Sequence, residues 1–436
     1  MKRRAEPRDV VASLASKLAE VRRSGKTCFG AESHSFELAP PASLAEVKAF
    51  ERSRKITLPA SYRRFVLEVG ASGAGPFYGL MPLARWKEGL RVARKLGITA
   101  MTLTDQGCGN YSLLVLDGPR RGRVVYVSDL DGVYYPEDRD FAAWYRRWLD
   151  EILWDFDNVW FGVGMVGREP EFVAALTGVQ ATKRAAGAAA MRRLPTITKR
   201  SLAALIAAIR TDTPNVQVAA IAALAKHDSA ALEPLLPALL DSRDKEVKLA
   251  ALREVKDSPL ANKLATYKDS AVAATAIYAG TLSETELAAL LDGPAWESAI
   301  MMLRTRQDGS ATPRLIELIE HADWNLRRAA LVCLRLRKDT EAREALLARL
   351  PIEPDAELRA VIAEALGVVG DFESLLRLVR DGEALIRFRV AYALGERGDP
   401  RALPVLTEMT TDTCRPPGTA WSIGEQARKA LEKLTR

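Results

Sequence analysis

The C-terminal half of this chain repeats itself, and that periodicity limits the fold more than any other feature of the sequence. Seven segments share one pattern: an aliphatic or aromatic anchor, then small and Leu-like residues that continue its face at helical spacing. The anchors are Val216, Val247, Val272, Trp296, Leu326, Leu358 and Ile386, separated by 31, 25, 24, 30, 32 and 28 residues. That period is the length of two short helices and two turns. Units of this size cannot bury an apolar face alone, so neighbouring copies must stack into an all-α array.

One copy, DAELRAVIAEALGVVGD (Asp355–Asp371), shows the chemistry. Asp355 is placed to cap a helix by accepting backbone N–H bonds at its start. Leu358, Val361, Ala365 and Leu366 build one apolar face. Gly367 and Gly370 supply permissive backbone past the helix end, and Asp371 caps the next helix, FESLLRLVR, which presents Leu375, Leu376 and Val379. A second clear copy is EALIRFRVAYALGERGDP (Glu383–Pro400). Three places depart from the pattern. LREVKDSPLANKLATYKD shortens a helix around Pro259, and PAWESAIMMLRTRQDG lacks an Arg after its anchor. TCRPPGTAWSIGEQARKALEKL interrupts the last copy with Pro416, Pro417 and Gly418 before a capping helix.

These residues resemble the HEAT-repeat family, in the short bacterial form written around VRxxAAxALGxxGD. The resemblance covers roughly residues 198–436, about seven repeats plus a C-terminal cap, and implies a protein-binding solenoid. A few relatives of that kind bind nucleic acid or cofactors. Arg327, Arg328, Arg359, Arg387 and Arg389 follow the anchors. They form either a solvated face paired with Glu and Asp, or a patch for an acidic partner.

A chain of 436 residues exceeds one ordinary core, and residues upstream of the repeats read differently. Val10, Leu14, Leu18 and Val21 make an amphipathic helix; Asp9, Lys17 and Glu20 interrupt any signal-like apolar run. In SLAEVKAFERSRKITLPASYRRFVLEVGASGAGPFYGLMPL (Ser43–Leu83), Ser43 and Glu46 form a capping box for a helix reaching about Ser53. Pro59 suits the start of a second helix with Tyr62, Phe65, Val66 and Val69 on its apolar face. FYGLMPL reads as a short strand closed by proline. Further on, NYSLLVLDG and GRVVYVSDLDG form a hairpin around GPRRG, with Gly118 and Gly122 where unusual backbone angles are needed. Both faces of the first of these strands are apolar, which places it centrally in its sheet. Phe141, Tyr145, Trp148 and Leu149 then repeat at helical spacing and pack a helix across that sheet.

Two motifs in this region resemble the SUKH superfamily, named partly for the Smi/Knr cell-wall regulators of fungi. The first is carried by Leu58, Pro59, Tyr62, Arg63, Phe65, Gly73, Gly75 and the YGL at Tyr78–Leu80. The second is carried by Asp105, Gly107, Cys108, Gly109, Asn110, Gly118, Gly122, Phe141, Trp144, Tyr145, Trp148 and Leu149. The resemblance spans about residues 30–160. It implies an α+β fold, an antiparallel-rich sheet with packed helices, joined here to the solenoid. The expected layout is an N-terminal amphipathic helix at 1–29, a SUKH-like domain at 30–165, a connector at 166–197 and the HEAT array at 198–436.

Catalytic chemistry finds little support. Cys108 lies between two glycines in QGCGN, and a nucleophilic thiol needs a basic or cationic neighbour. The chain has three histidines, His34, His227 and His321, two of them in the repeat array. Gly107 and Gly109 instead suit a tight bend feeding the hairpin, with the thiol tucked beneath a sheet edge. SHS at Ser33–Ser35 does not create triad geometry. Asp129, Asp131, Glu137, Asp138 and Asp140 read as a solvated turn, lacking the ligand order of a calcium loop. GASGAG lacks the Lys-Ser/Thr of a phosphate-binding loop. Cys28, Cys108, Cys333 and Cys414 lie far apart with no CxxC, against a zinc site or disulfide framework and in keeping with a reducing compartment.

Net charge is +7, but residues 1–170 carry 26 Lys+Arg against 21 Asp+Glu, and the remainder is nearly balanced. That argues against nucleic acid as partner, which calls for a denser basic surface. The best cationic stripe upstream is Lys87, Arg91, Arg94 and Lys95. No run of ~18 apolar residues is present. The expectation is therefore a cytoplasmic, non-enzymatic, protein-binding protein without cofactor, metal, membrane anchor or small-molecule substrate. Many bacterial SUKH members resemble immunity proteins, which implies recognition and neutralisation of a toxin domain, with the HEAT array as a second surface. The alternatives are a regulatory scaffold of the Smi/Knr kind and nucleic-acid binding through the solenoid.

Overall fold

Apolar spacing becomes helix where the sequence says it should. The computed structural model describes residues 10–85, 93, 97–128, 132–369 and 372–435. Helix α1 (Val10–Ser24) buries Val11, Leu14, Leu18 and Val21. Helix α2 (Leu44–Arg54) opens on the expected capping box: the Ser43 N–H donates to the Glu46 carboxylate at 2.7 Å, and the Glu46 N–H donates to Ser43 Oγ at 3.2 Å. Helix α3 (Ala60–Glu68) follows Pro59 and buries Tyr62, Phe65 and Val66.

Strands β1 (Ala100–Gly107), β2 (Asn110–Val115), β3 (Val124–Ser128) and β4 (Gly132–Tyr134) form an antiparallel meander in the order β1-β2-β3-β4. As expected, β2 has a strand on each side. Its Leu114 joins the main core with Met101, Leu103 and Tyr126, while Leu113 and Val115 join Val125 and Val127 on the opposite face. Helix α4 (Phe141–Leu153), capped by Asp140, supplies the centre of the main core. Phe141 lies 4.8 Å from Tyr62, and Tyr145 lies 4.8 Å from Phe65 and 5.3 Å from Trp148, ring centre to ring centre.

Three local expectations are corrected. FYGLMPL is not a strand: Leu80 makes one isolated bridge to Gly73, because Phe77 (φ 58°) and Gly79 (φ 91°) turn the chain out of extended geometry. Cys108 does not lie beneath a sheet edge. Cys108 (φ 51°) and Gly109 (φ 80°) are the two central residues of the β1–β2 turn, which leaves the thiol exposed at its tip. Positive φ at both positions is the mirror-image turn that matches strand twist. Asp138 is buried rather than solvated. Gly118 (φ 68°) and Gly122 (φ 88°) do take the angles anticipated for the β2–β3 connection.

Helices α5 (Glu169–Leu176), α6 (Ala181–Met191), α7 (Lys199–Thr211), α8 (Pro214–His227) and α9 (Ser229–Leu232) complete the first of two compact units, Met1–Leu235. The stretch at 166–197 thus holds two helices, and Gly187 lets them meet: a Cβ there would come within 2.6 Å of the Phe172 carbonyl oxygen.

The second unit, Leu236–Arg436, consists of helices and their connections, with no strand among its described residues. It comprises α10 (Leu236–Leu240), α11 (Lys245–Arg253), α12 (Pro259–Asn262), α13 (Ser270–Ala279), α14 (Glu284–Ala289), α15 (Trp296–Leu303) and α16 (Thr312–Leu318). Then follow α17 (Trp324–Arg337), α18 (Arg343–Arg349), α19 (Ala356–Val369), α20 (Phe372–Leu378), α21 (Ala384–Arg397), α22 (Leu403–Met409) and α23 (Ile423–Leu434). Anchors Val247, Val272, Leu358 and Ile386 are fully buried. Asp244, Asp269, Asp323 and Asp355, each three residues before an anchor, accept backbone N–H bonds at the start of its helix. Each such cap is worth ~1 kcal/mol.

Gly367 departs from expectation. It lies inside α19 rather than past its end, where a Cβ would come within 2.5 Å of Ala393 Cβ on α21. Gly395 repeats the device one helix further on, against Ala430 at 2.6 Å. Gly370 and Asp371 lie outside the described residues. One fully buried charge also holds the array: Arg337 pairs with Glu284 at 3.0 Å and Asp339 at 2.7 Å, and donates to the Leu303 and Arg306 carbonyls.

Candidate interaction surfaces

In the N-terminal unit a cavity of about 150 Å³ opens between β3, β4 and the 160–163 loop. Tyr126 forms its floor. The Tyr126 hydroxyl donates to the Phe161 carbonyl and accepts from Trp144 Nε1, both at 2.9 Å. Gly162 (φ 81°) passes so close that a Cβ there would overlap the Tyr126 hydroxyl. The Gly164 N–H donates to the Tyr134 hydroxyl at 3.0 Å. These bonds hold the loop against the sheet and leave Trp160 68% exposed, lining the cavity together with Val133 and Tyr134 of the edge strand. Phe77, Phe161 and Val163 complete an apolar wall; Gln106, Asn110 and Ser128 add polar groups at one side.

A buried ion cluster fixes the same loop from behind. Arg147 on α4 pairs with Glu151 at 2.8 Å and Asp138 at 3.2 Å and donates to the Gly164 carbonyl, while Arg193 also pairs with Glu151. Burial disfavours the Arg147 charge, but the carboxylates of Glu151 and Asp138 outweigh it and hold the guanidinium above its usual range. Burial pushes the Asp138 carboxyl up, opposed in part by Arg147.

Among the sequence candidates, Lys87, Arg91, Arg94 and Lys95 lie outside the described residues. The post-anchor arginines divide into two groups. Arg327 donates to the His321 and Ala322 carbonyls at 2.9 Å and pairs with Glu353. Arg359 donates to the Glu353 and Pro354 carbonyls and pairs with Glu383 at 2.9 Å. Arg387 donates to the Asp381 and Gly382 carbonyls and pairs with Asp412 at 3.0 Å. This one staple, used three times, ties each helix start to an acidic residue of the next repeat. Arg328 and Arg389 instead line a groove of about 400 Å³ with Arg335, Glu357, Glu364 and Tyr392 on α17, α19 and α21.

The family-motif positions Leu58, Tyr62, Phe65, Trp144, Tyr145 and Trp148 are core residues, each at most 2% exposed. Pro59 precedes α3. Gly73 and Gly75 pack against Glu37 and Leu80 where a Cβ would collide, and Gly107 and Asn110 close the Cys108–Gly109 turn. Each imidazole is engaged away from that turn: His34 Nδ1 accepts from the Phe36 N–H, His227 meets the Met191 carbonyl, and His321 Nδ1 accepts from the Asp323 N–H. Burial pushes the Cys28 and Cys333 thiols up to about 12. Among the described residues, no group of three or more His, Cys, Asp or Glu is placed to hold a metal ion, and no helix is long and apolar enough to cross a membrane. Sequence reasoning missed Trp160, Tyr126 and Arg147. The only signal for the first was WFGVG, an aromatic pair before two glycines.

An antiparallel sheet with packed helices, followed by stacked helical repeats, defines a protein built from two interaction modules. Residues 41–147 match the SMI1 / KNR4 family (SUKH-1), and residues 285–367 and 353–423 match HEAT repeats, so the chain carries an N-terminal SUKH domain followed by HEAT repeats. No curated protein matches it. Solved structures similar to this chain include an engineered protein (18% identity, 62% of this chain and 89% of that one, TM-score 0.37). Importin beta is similar at 14% identity over 67% of this chain and 48% of that one, TM-score 0.46. Karyopherin Kap121p, bound to the extreme C-terminus of the protein phosphatase Cdc14p, is similar at 13% identity over 67% and 40%, TM-score 0.46. The chain thus spans less than half the length of the importin and karyopherin chains.

Proposed function

We propose that this is a non-enzymatic binding protein of the cytoplasm whose SUKH-like domain (residues 30–165) recognises and neutralises a toxin domain, the HEAT array serving as a second interaction surface. The observation that carries this reading is the Trp160 pocket. A large aromatic side chain stands in solvent on a loop pinned by Tyr126, Tyr134 and Arg147, so it is presented without paying ordering entropy on binding. Exposed Trp and Tyr around a pocket are the residue types that dominate interface energetics.

The test uses the full chain as bait in lysate of its source cells, beside Trp160→Asp. The expected result is a near-stoichiometric small partner whose expression alone arrests growth. Co-expression of the native chain restores growth, and the variant, unchanged in thermal melting, does not. A partner retained equally by the variant, or one without toxicity, overturns the reading. A regulatory scaffold is the second reading, supported by the different chemistry of the two surfaces: apolar and aromatic in one unit, charged in the other.

A further inference from the structure

The groove on the HEAT array has a feature that neither its anchors nor its staples require. Arg335 on α17 and Arg389 on α21 both pair with one carboxylate, Glu364 on α19, the latter at 2.8 Å. A single negative charge cannot neutralise two guanidinium groups. Glu364 is also the buried member, its side chain 8% exposed, while Arg335 and Arg389 are 28% and 42% exposed. The Nε of Arg335 is buried without a hydrogen-bond partner. Arg328, 47% exposed, adds a third guanidinium, offset at that end by Glu357 at 3.3 Å. The groove therefore carries three guanidinium groups against one exposed carboxylate, Glu357, and the half-exposed Tyr392 ring lines it with them.

We propose that this groove binds an acidic segment of a partner protein. Its carboxylates would lie against Arg335 and Arg389, and an apolar side chain between them would pack on Tyr392. Charge complementarity selects the occupant: three arginines and two glutamates leave an excess positive charge, and one of the two glutamates, Glu364, is buried. Arg335 and Arg389 are held in place before binding by Glu364, so little side-chain entropy is lost when a carboxylate arrives. This deepens the second-surface part of the function proposed above and does not depend on its toxin half.

The test is fluorescence anisotropy with the full chain and a labelled twelve-residue peptide of alternating Glu and Leu. Its probes are compared with the Gln-Leu and Lys-Leu counterparts and with poly-uridine RNA. The Glu-Leu peptide should bind at least ~10-fold more tightly than the Gln-Leu peptide, with affinity falling as salt rises. Arg389→Gln and Arg328→Gln should each weaken it several-fold, and Tyr392→Ala should weaken it without changing the salt dependence. Arg328 and Tyr392 do not hold Glu364, so those variants read binding even if Arg389→Gln loosens the repeat; thermal melting is followed for all three. Trp160→Asp should leave peptide binding intact, which separates this proposal from the toxin reading. Equal binding of the Glu-Leu and Gln-Leu peptides, indifference to all three variants, or poly-uridine competing through the same arginines overturns it.

Discussion

The two units bury their interiors by different means. The first draws on aromatic residues distant in sequence: Tyr62, Phe65, Phe141, Tyr145 and Trp148 meet ring against ring only once α3, α4 and the sheet are assembled. The second uses small residues at fixed offsets, with Gly367 against Ala393 and Gly395 against Ala430, and ties successive repeats with Arg327, Arg359 and Arg387. A core of the first kind stands or falls as one. A stack of repeats loses stability locally, because each copy contacts only its neighbours.

The sharpest way to break this contrast is Trp144→Ala. It removes a fully buried ring and the bond to Tyr126, and should cost about 3–5 kcal/mol. Hydrogen exchange should show protection lost from α1 to α4 together, with the second unit unchanged; loss confined to α4 would refute a single cooperative core.

Arg337→Met tests the other side. It leaves Glu284 buried without its cation, at a cost of about 3 kcal/mol or more, and the lost protection should centre on α14 to α17 while α21 and α23 keep theirs. Adding Glu284→Gln should recover part of the loss. Gly395→Ala forces α21 away from α23 and should cost ~1–3 kcal/mol, read as a lower midpoint for the C-terminal repeats alone.

A pH effect between about pH 7.5 and 5.5 should appear in the first unit. Burial lowers the pKa of His34, which packs edge-on against Trp148 and Phe36. The unfolded chain therefore takes up that proton first as pH falls below about 6.5. Stability is full above that value and declines as pH drops toward the folded pKa; denaturant titrations at pH 7.5 and 5.5 should show the slope, and His34→Gln should flatten it. The smallest effect is Cys108→Asn. Asn tolerates the left-handed angle that Cys108 adopts, so the variant should gain about 0.5–1 kcal/mol. A loss of stability would mean that the thiol has a contact the turn geometry does not show.

Much of this was legible in the chain. The capping box at Ser43, the start of α3 after Pro59, the central place of β2 and the apolar face of α4 depend on neighbours within one helical turn or one strand pair. Asp244, Asp269, Asp323 and Asp355 cap their helices for the same local reason. The misreadings are non-local. FYGLMPL looked like a strand because its residues favour extension, whereas Gly79 is turned by close packing on the Gly73 carbonyl and His34. Asp138 looked solvated because its partner Arg147 is nine residues away, across a turn and into α4.

The candidate surfaces divide in the same way. The sequence determined by itself that strands and packed helices precede a stacked helical array, because periodicity, caps and turn residues act over a few positions, while the SUKH resemblance rested on two motifs. Only the tertiary structure decided which side chains meet solvent. It consumed Arg327, Arg359 and Arg387 in staples, gathered Arg328, Arg335 and Arg389 around a groove, and left Trp160 exposed at the cavity it lines with Tyr126. An arginine's role depends on whether a carboxylate and free carbonyls lie within reach of its guanidinium; the carbonyls are five or six residues upstream, but the carboxylates come from a neighbouring repeat, some 24 to 29 residues away.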